Sequence, residues 1–284
     1  MTQPVSPKPD LGKFGVWIGS RSLAPELAAQ IESLGYGAVW IGASPDADLA
    51  WAEPALAQTT SLQLATGIVN TWSAPANTVA ESYRRIEGAY PQRFLLGVGV
   101  GHREHTQEYQ KPYDKLVEYL AELDAAGVPI GRRVLAALGP RVLRLAKERS
   151  AGAHPYLTTP EHTATSRELV GSSVLLAPEH KVVLTADRDE ARAIGRQFVD
   201  FYLGLRNYVN NWLRLGFSAD DVRKPGSDRL IDALVAYGTP DAIAERLHEH
   251  LDAGADHVAI QVLGASPGEQ LLPTLSELAR PLLG

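Results

Sequence analysis

The chain contains no cysteine, which excludes disulfides, thiolate metal sites and a cysteine nucleophile. It has no basic excess: 27 lysines and arginines stand against 33 aspartates and glutamates, giving a formal net charge of −6. A non-specific nucleic-acid binder needs a basic face, so that partner class is not expected. No apolar run reaches the roughly 18 residues of a membrane-spanning helix. Met1 to Asp10 is polar, holds three prolines and lacks the apolar core of a signal peptide. These absences predict a soluble, cytoplasmic chain. Charged residues make up 21% and hydrophobic residues 45%, which suits a packed globular protein and not disorder. At 284 residues, two small domains or one large barrel are admissible, and the core needs no staples.

Catalytic motifs are equally sparse. There is no phosphate loop ending in Gly-Lys-Ser/Thr and no Gly-x-Ser-x-Gly nucleophile elbow. The run Gly97-Val98-Gly99-Val100-Gly101-His102 fails as a dinucleotide fingerprint, because His102 stands at the third glycine position. His102 and His105 are three apart, whereas a zincin pair is four apart, and no third ligand is evident. No metal is expected. His248 and His250 point to different helix faces and are expected to meet solvent.

What is present is an alternation. Short apolar runs flanked by glycine read as buried strands at 13–19, 37–42, 62–69, 93–100, 133–138, 152–157, 174–185 and 256–262. Pro178 breaks the seventh. Helical patterns separate them, with prolines in first turns at Pro25, Pro75, Pro140 and Pro160 and glycines closing the helices at Gly35 and Gly127. Eight strands alternating with helices predict a parallel (β/α)8 TIM barrel forming a single domain, 1–284. The stretch 186–255 reads as a helical insertion between strands seven and eight.

Barrel chemistry sits at the C-terminal strand ends. Those ends place Ser44, Val69 to Trp72, Gly99 to His102, Leu138-Gly139, Tyr156 to Thr159, Glu179-His180 and Gln261 on one rim. Few of these ionise, which suits a cofactor that carries the chemistry itself. Gly139-Pro140 and Thr159-Pro160 each open a helix directly after a strand, so each is either a plain cap or an anion site. Gly97, Gly99 and Gly101 either relieve crowding inside the barrel or admit a flat ring. Trp40 reads as core, and Trp72 lies past a strand end.

The order of segments resembles the luciferase-like superfamily of flavin and deazaflavin oxidoreductases. The likeness runs from Phe14 to Leu263 through AAQIESLGYGAVW, LATGIV, RFLLGVGVG, LAALGPRVLRLA, GAHPYLTTPEH and GADHVAIQ. Within it, the chain is most similar to the actinobacterial subgroup that uses coenzyme F420. The resemblance implies a tricyclic ring against a strand-three bulge, often carrying a non-proline cis peptide, which falls near Gly67-Ile68. Val69 and Asn70 would border the ring, and Gly99, Val100 and Gly101 would line its other side. The phosphate tail would lie near Leu138, Gly139, Tyr156, Leu157, Thr158 and Thr159. It further implies hydride transfer between F420 and a small organic substrate, in a homodimer. An FMN-dependent monooxygenase and a catalytically silent flavin-binding protein are the alternatives. Many relatives carry an acid and a histidine after strand two, where this chain has Ala43-Ser44-Pro45. Ser44 and His102 are therefore the catalytic candidates, with Glu104 and His180 behind them.

Overall fold

Parallel strands built from short apolar runs alternate with helices along the chain. The computed structural model describes residues 8–19, 22–101, 111–264 and 270–284. The strands are β1 Phe14–Gly19, β2 Ala38–Gly42, β3 Gln63–Thr66, β4 Val69–Asn70, β5 Phe94–Gly99, β6 Arg133–Leu135, β7 Gly152–Ala153, β8 Leu175–Leu176, β9 Glu179–Val183, β10 Val235–Tyr237 and β11 Val258–Val262. The helices are α1 Pro25–Ser33, α2 Ala52–Ala57, α3 Ala76–Ala89, α4 Pro112–Ala125, α5 Pro140–Arg149, α6 Pro160–Val170, α7 Arg188–Tyr202, α8 Arg206–Arg214, α9 Asp228–Leu234, α10 Pro240–Asp252 and α11 Leu271–Leu283. Gly35 (φ 95°) and Gly127 (φ 78°) take the left-handed conformation after α1 and α4, as their reading as C-terminal caps requires.

The strands form one curled parallel sheet in the order β10-β9-β11-β1-β2-β3-β5-β6-β7-β8, with β4 also pairing β5. Only Ala177-Pro178 separates β8 from β9. Pro178 has no N–H to give, which interrupts the strand there. The backbone nonetheless bonds to both sides at that point: Ala177 N–H donates to Ala153 O, and Ala259 N–H donates to Pro178 O, each at 2.9 Å. The third expected strand is also two segments, β3 and β4, separated by Gly67-Ile68, whose peptide bond is cis. The expected helical stretch 186–255 contains α7, α8 and α9, then the strand β10, which pairs β9, and then α10. That strand was hidden because the apolar run of α9 passes straight into it. α10 packs on α6 and α11 in the helical layer around the sheet.

Two apolar layers and a capping unit make the core. Outside the sheet, Val16, Val39, Leu64, Phe94, Leu96 and Val98 meet the helices. Inside the curl, Trp17, Trp40, Ala65, Leu95, Val134 and Ala259 pack together. Room for Trp17 and for His257, which accepts from Trp40, comes from missing side chains. A Cβ on Gly42 would lie 1.7 Å from the Trp17 ring, and one on Gly15 would lie 2.7 Å from His257. The third cluster joins α7, α8 and α9 to the end of β7 through Val199, Tyr208, Trp212, Ile231 and Leu157. Among the described residues, no helix is long and apolar enough to cross a membrane.

The tightest backbone contact lies inside the sheet. A Cβ on Gly97 would sit 1.8 Å from Thr66 O, so Gly97→Ala must push β3 and β5 apart. Urea denaturation is expected to show a loss of about 3 kcal/mol or more. Gly88→Ala, at an exposed position of helix α3 with nothing within 4 Å of the new atom, is expected to stabilise by about 0.5–1 kcal/mol. Equal effects of the two changes would contradict this packing.

Candidate functional site

The mouth of the curl is built around the break between β3 and β4. β4 pairs β5 with Val69 opposite Val98 and Asn70 opposite Gly99. This register presses Ile68 onto β5: a Cβ on Gly99 would fall 2.8 Å from Ile68 Cδ1 and 3.0 Å from Ala136 Cβ. A Cβ on Gly101, at φ 58°, would fall 2.5 Å from Asn70 Nδ2. These glycines therefore admit the bulge, the first of the two roles open to them. Asn70 Oδ1 accepts from Trp72 N–H at 3.1 Å and fixes the exit from the bulge.

Gly67 and Ile68 remain half-buried at the mouth. The Cβ direction of Gly67 points at Trp17 Nε1 (2.8 Å) and His154 Nε2 (3.2 Å). Both nitrogens are buried and have no hydrogen-bond partner. His154 Nδ1 lies 2.7 Å from Ala177 O. A carbonyl only accepts, so Nδ1 carries the proton and Nε2 presents a lone pair. One orphaned donor and one orphaned acceptor thus stand side by side at the bulge. Beneath them Trp40 stacks on His154 at 4.0 Å and donates to His257 Nε2 at 3.0 Å.

Opposite the bulge lies a buried ion pair that the neutral-rim expectation did not include. Lys181 donates to both oxygens of Glu179 at 2.8 Å, and neither side chain is exposed. Leu157 N–H adds a bond to Glu179 Oε2 at 3.0 Å. Burial pushes the Glu179 carboxyl up and draws the Lys181 ammonium down to about 8, while their mutual attraction opposes both shifts. The ammonium sits 3.9 Å from the Tyr156 ring centre and 4.7 Å from that of Phe198. Tyr156 lies between Trp17 and Tyr202, donates to Gln261 Oε1 at 2.8 Å and accepts from Tyr202 at 3.4 Å. Burial holds its hydroxyl well above its ordinary pKa, so it stays protonated. Opposite charges at 179 and 181 share one face of a strand, and that spacing was the available signal.

The remaining candidates fall as follows. Ser44 is exposed just after β2, with Ala43 and Ser44 both left-handed (φ 60° and 50°). His102, with Glu104 and His105, lies outside the described residues. Gly99 is buried, and Val100 and Gly101 are half-buried. Leu138 is half-buried, and its carbonyl lies 2.9 Å from His162 Nε2. Gly139 is the extended residue opening α5. Leu157 is buried at φ 55°, and Thr158 and Thr159 are buried at the start of α6. Val69 is buried and Asn70 half-buried. Two histidine expectations are corrected. His180 turns away from the mouth toward α10, where its Nδ1 lies 2.9 Å from His250 Nε2. His250 is buried, not solvent-facing, and its Nδ1 lies 2.8 Å from Thr163 Oγ1. It falls on the stripe of Ile243 and Leu247, whose helical spacing marks an inward face. Trp72, past the end of β4, is half-buried. Among the described residues, no group of three metal-ligating side chains occurs.

Comparison with known proteins adds to this picture. Residues 19–127 match the family model for luciferase-like monooxygenases. In sequence the chain is similar to the 5,10-methylenetetrahydromethanopterin reductase of Archaeoglobus fulgidus, with 24% identity over 74% of this chain and 78% of that one. In fold it is similar to an F420-dependent secondary alcohol dehydrogenase solved with an F420–acetone adduct, with TM-score 0.72 and 14% identity over 94% of this chain and 97% of that one. It is also similar to a type II Baeyer–Villiger monooxygenase, the oxygenating constituent of 3,6-diketocamphane monooxygenase of Pseudomonas putida, in complex with FMN. There the TM-score is 0.69 and the identity 13%, over 95% of this chain and 97% of that one. The luciferase-like resemblance drawn from the sequence is borne out at the level of the family. These likenesses do not distinguish an actinobacterial subgroup.

The buried histidines set a pH dependence. Burial draws His154 and His250 down to about 3 and His257 to about 4, and it lowers His180 as well. The folded chain therefore keeps them neutral, while the unfolded chain protonates them below about pH 6.5. Stability is expected to fall as pH drops from 6.5 toward 4, by up to about 1.4 kcal/mol per pH unit for each histidine. Urea unfolding at stepped pH measures this. A flat profile between pH 6.5 and 5 would contradict it.

Proposed function

We propose that this chain is an oxidoreductase that holds the deazaflavin coenzyme F420 at the mouth of its curled sheet and acts on a small organic substrate. The observation that carries this reading is the donor–acceptor pair left open at Gly67, Trp17 Nε1 and His154 Nε2. Buried polar atoms require partners. An imide edge, with a carbonyl beside an N–H, offers the complementary acceptor and donor. The pyrimidinedione rim shared by deazaflavins and flavins is such an edge. The likeness to a dehydrogenase solved with an F420–acetone adduct supports the same class.

In this reading Trp17, His154 and the bulge Gly67, Ile68, Val69 and Asn70 hold the ring, with Gly99, Val100 and Gly101 beside it. Leu138, Gly139, Tyr156, Leu157, Thr158 and Thr159 lie along the tail. Bound there, F420 supplies a hydride donor or acceptor at a ring carbon. The chain's own residues do the rest. Tyr156, kept protonated and tied to Tyr202 and Gln261, offers a fixed hydroxyl. Ser44, exposed on the rim, orients substrate, and His102 is the titratable candidate for proton transfer. α7 and α8 shield the mouth through Tyr202, Tyr208 and Trp212. The fold behind this site is a single-domain (β/α)8 barrel in which β3–β4 and β8–β9 are each one broken strand. α7, α8, α9 and β10 form the insertion within 186–255, while α10 belongs to the barrel wall. A homodimer in the cytoplasm completes the proposal.

An FMN-dependent monooxygenase is the second reading, supported by the likeness to an FMN-bound monooxygenase. Titration with F420 and with FMN, followed by tryptophan fluorescence, separates the two. Micromolar or tighter F420 binding, much weaker FMN binding and no oxygen consumption are expected. Preference for FMN with oxygen uptake would overturn the F420 assignment, and binding of neither would overturn the cofactor site.

A further inference from the structure

We propose that Arg214 and Asn211, on α8, form a phosphate clamp over the N-terminus of α5, and that this clamp governs how tightly a phosphate-bearing tail is held. The proposal rests on the cofactor reading above and deepens it, because α8 lies outside the strand ends from which that site was read.

The helix start is open to an anion. α5 begins after Gly139 with no side-chain cap and no acidic residue in its first turn. Pro140 has no N–H and those of Val142 and Leu143 donate to Gly139 O at 3.1 Å, so the Arg141 N–H and the positive dipole end are what favour a negative group there. The nearest atom on the open side of Gly139 is Arg214 Nη2, 3.9 Å from where a Cβ would stand.

A second, independent observation points to a ligand at the same corner. Arg214 Nη2 donates to Asn211 Oδ1 at 3.2 Å. Asn211 is only 2% exposed, and its Nδ2 has no hydrogen-bond partner. A buried amide N–H left open requires an acceptor. Asn211 lies on the buried face of α8 with Tyr208 and Trp212, and Trp212 Nε1 donates to Leu157 O at 3.3 Å. That face thus meets the ends of β6 and β7. An amide donor, an arginine and a helix start together suit the oxygens of a phosphate.

The neighbouring helix start is already served. α6 carries Glu161 in its first turn. Burial raises the Glu161 carboxyl, but the Thr159 hydroxyl, a backbone N–H and Arg246 together hold it below the usual range. Thr158 and Thr159 are 1% and 2% exposed. His162, between the two helix starts, is held toward its neutral form chiefly by burial, with Arg214 adding to the effect, so it adds no positive charge to the corner. The phosphate corner is therefore α5 with α8, not α6.

Calorimetric titration of the full chain with inorganic phosphate tests the clamp. Arg214 is exposed, so Arg214→Gln should fold normally, with the melting temperature as control. Saturable phosphate binding is expected, weakened about tenfold or more by Arg214→Gln and partly restored by Arg214→Lys, while Glu161→Gln leaves it unchanged. Wild-type affinity in Arg214→Gln, or no saturable binding to the wild type, would overturn the clamp. Parallel titrations with F420 and FMN separate the two levels. If a cofactor binds both proteins alike, the clamp is overturned and the cofactor reading stands. If phosphate binding depends on Arg214 but neither cofactor binds, the cofactor reading is overturned and the clamp stands.

Discussion

The backbone from Thr66 to Asn70 lies hard against the inner face of β5, and the geometry of the mouth depends on that contact. Thr66 and Gly97 exchange two hydrogen bonds: Gly97 N–H donates to Thr66 Oγ1 at 2.7 Å, and Thr66 Oγ1 donates to Gly97 O at 2.8 Å. No residue but glycine fits at 97, where a Cβ would meet Thr66 O at 1.8 Å. The same closeness seats Ile68 over Gly99 and turns Gly67 toward Trp17 and His154. A sterically demanding strand pairing thus leaves an orphaned donor and an orphaned acceptor side by side at the bulge.

The interior beneath that pair is polar for its position, and each polar group there has a physical reason. His257 links Trp40 to Gly12 O through both ring nitrogens. The Glu179–Lys181 pair is fully enclosed, and an enclosed pair is weak evidence for stability because desolvation offsets its attraction. It holds Leu157 through a backbone bond and supports the Tyr156 ring through its cation. Its effect is positional: it fixes the end of β7, where the mouth and the α8 cover meet.

Much of this was legible in the chain. Glycine-flanked apolar runs located every major strand, and prolines in first turns located α1, α5 and α6. The site was legible only in part. The bulge at Gly67-Ile68 came from the family resemblance, since LATGIV reads by itself as an unbroken strand. Val235–Tyr237 was missed because an apolar run can be helix or strand, and β9 rather than local preference made it a strand. The two-residue spacing of His248 and His250 does not say which of them faces inward; the Ile243–Leu247 stripe does, and His250 falls on it. Trp17 Nε1 and His154 Nε2 come from strands far apart in sequence, and only the curl brings them together. Asn211 and Arg214 lie in a stretch whose sequence shows amphipathic helix and nothing of what its faces meet.

The central claim is that the ring of a bound cofactor meets Trp17 and His154 at Gly67. The most direct measurement is the indole N–H spectrum of the 15N-labelled protein, with and without F420. The Trp17 signal should shift on binding, while that of Trp51, which packs beside Phe94 on the outer layer, should not move. Saturable F420 binding with an unmoved Trp17 signal would contradict the site.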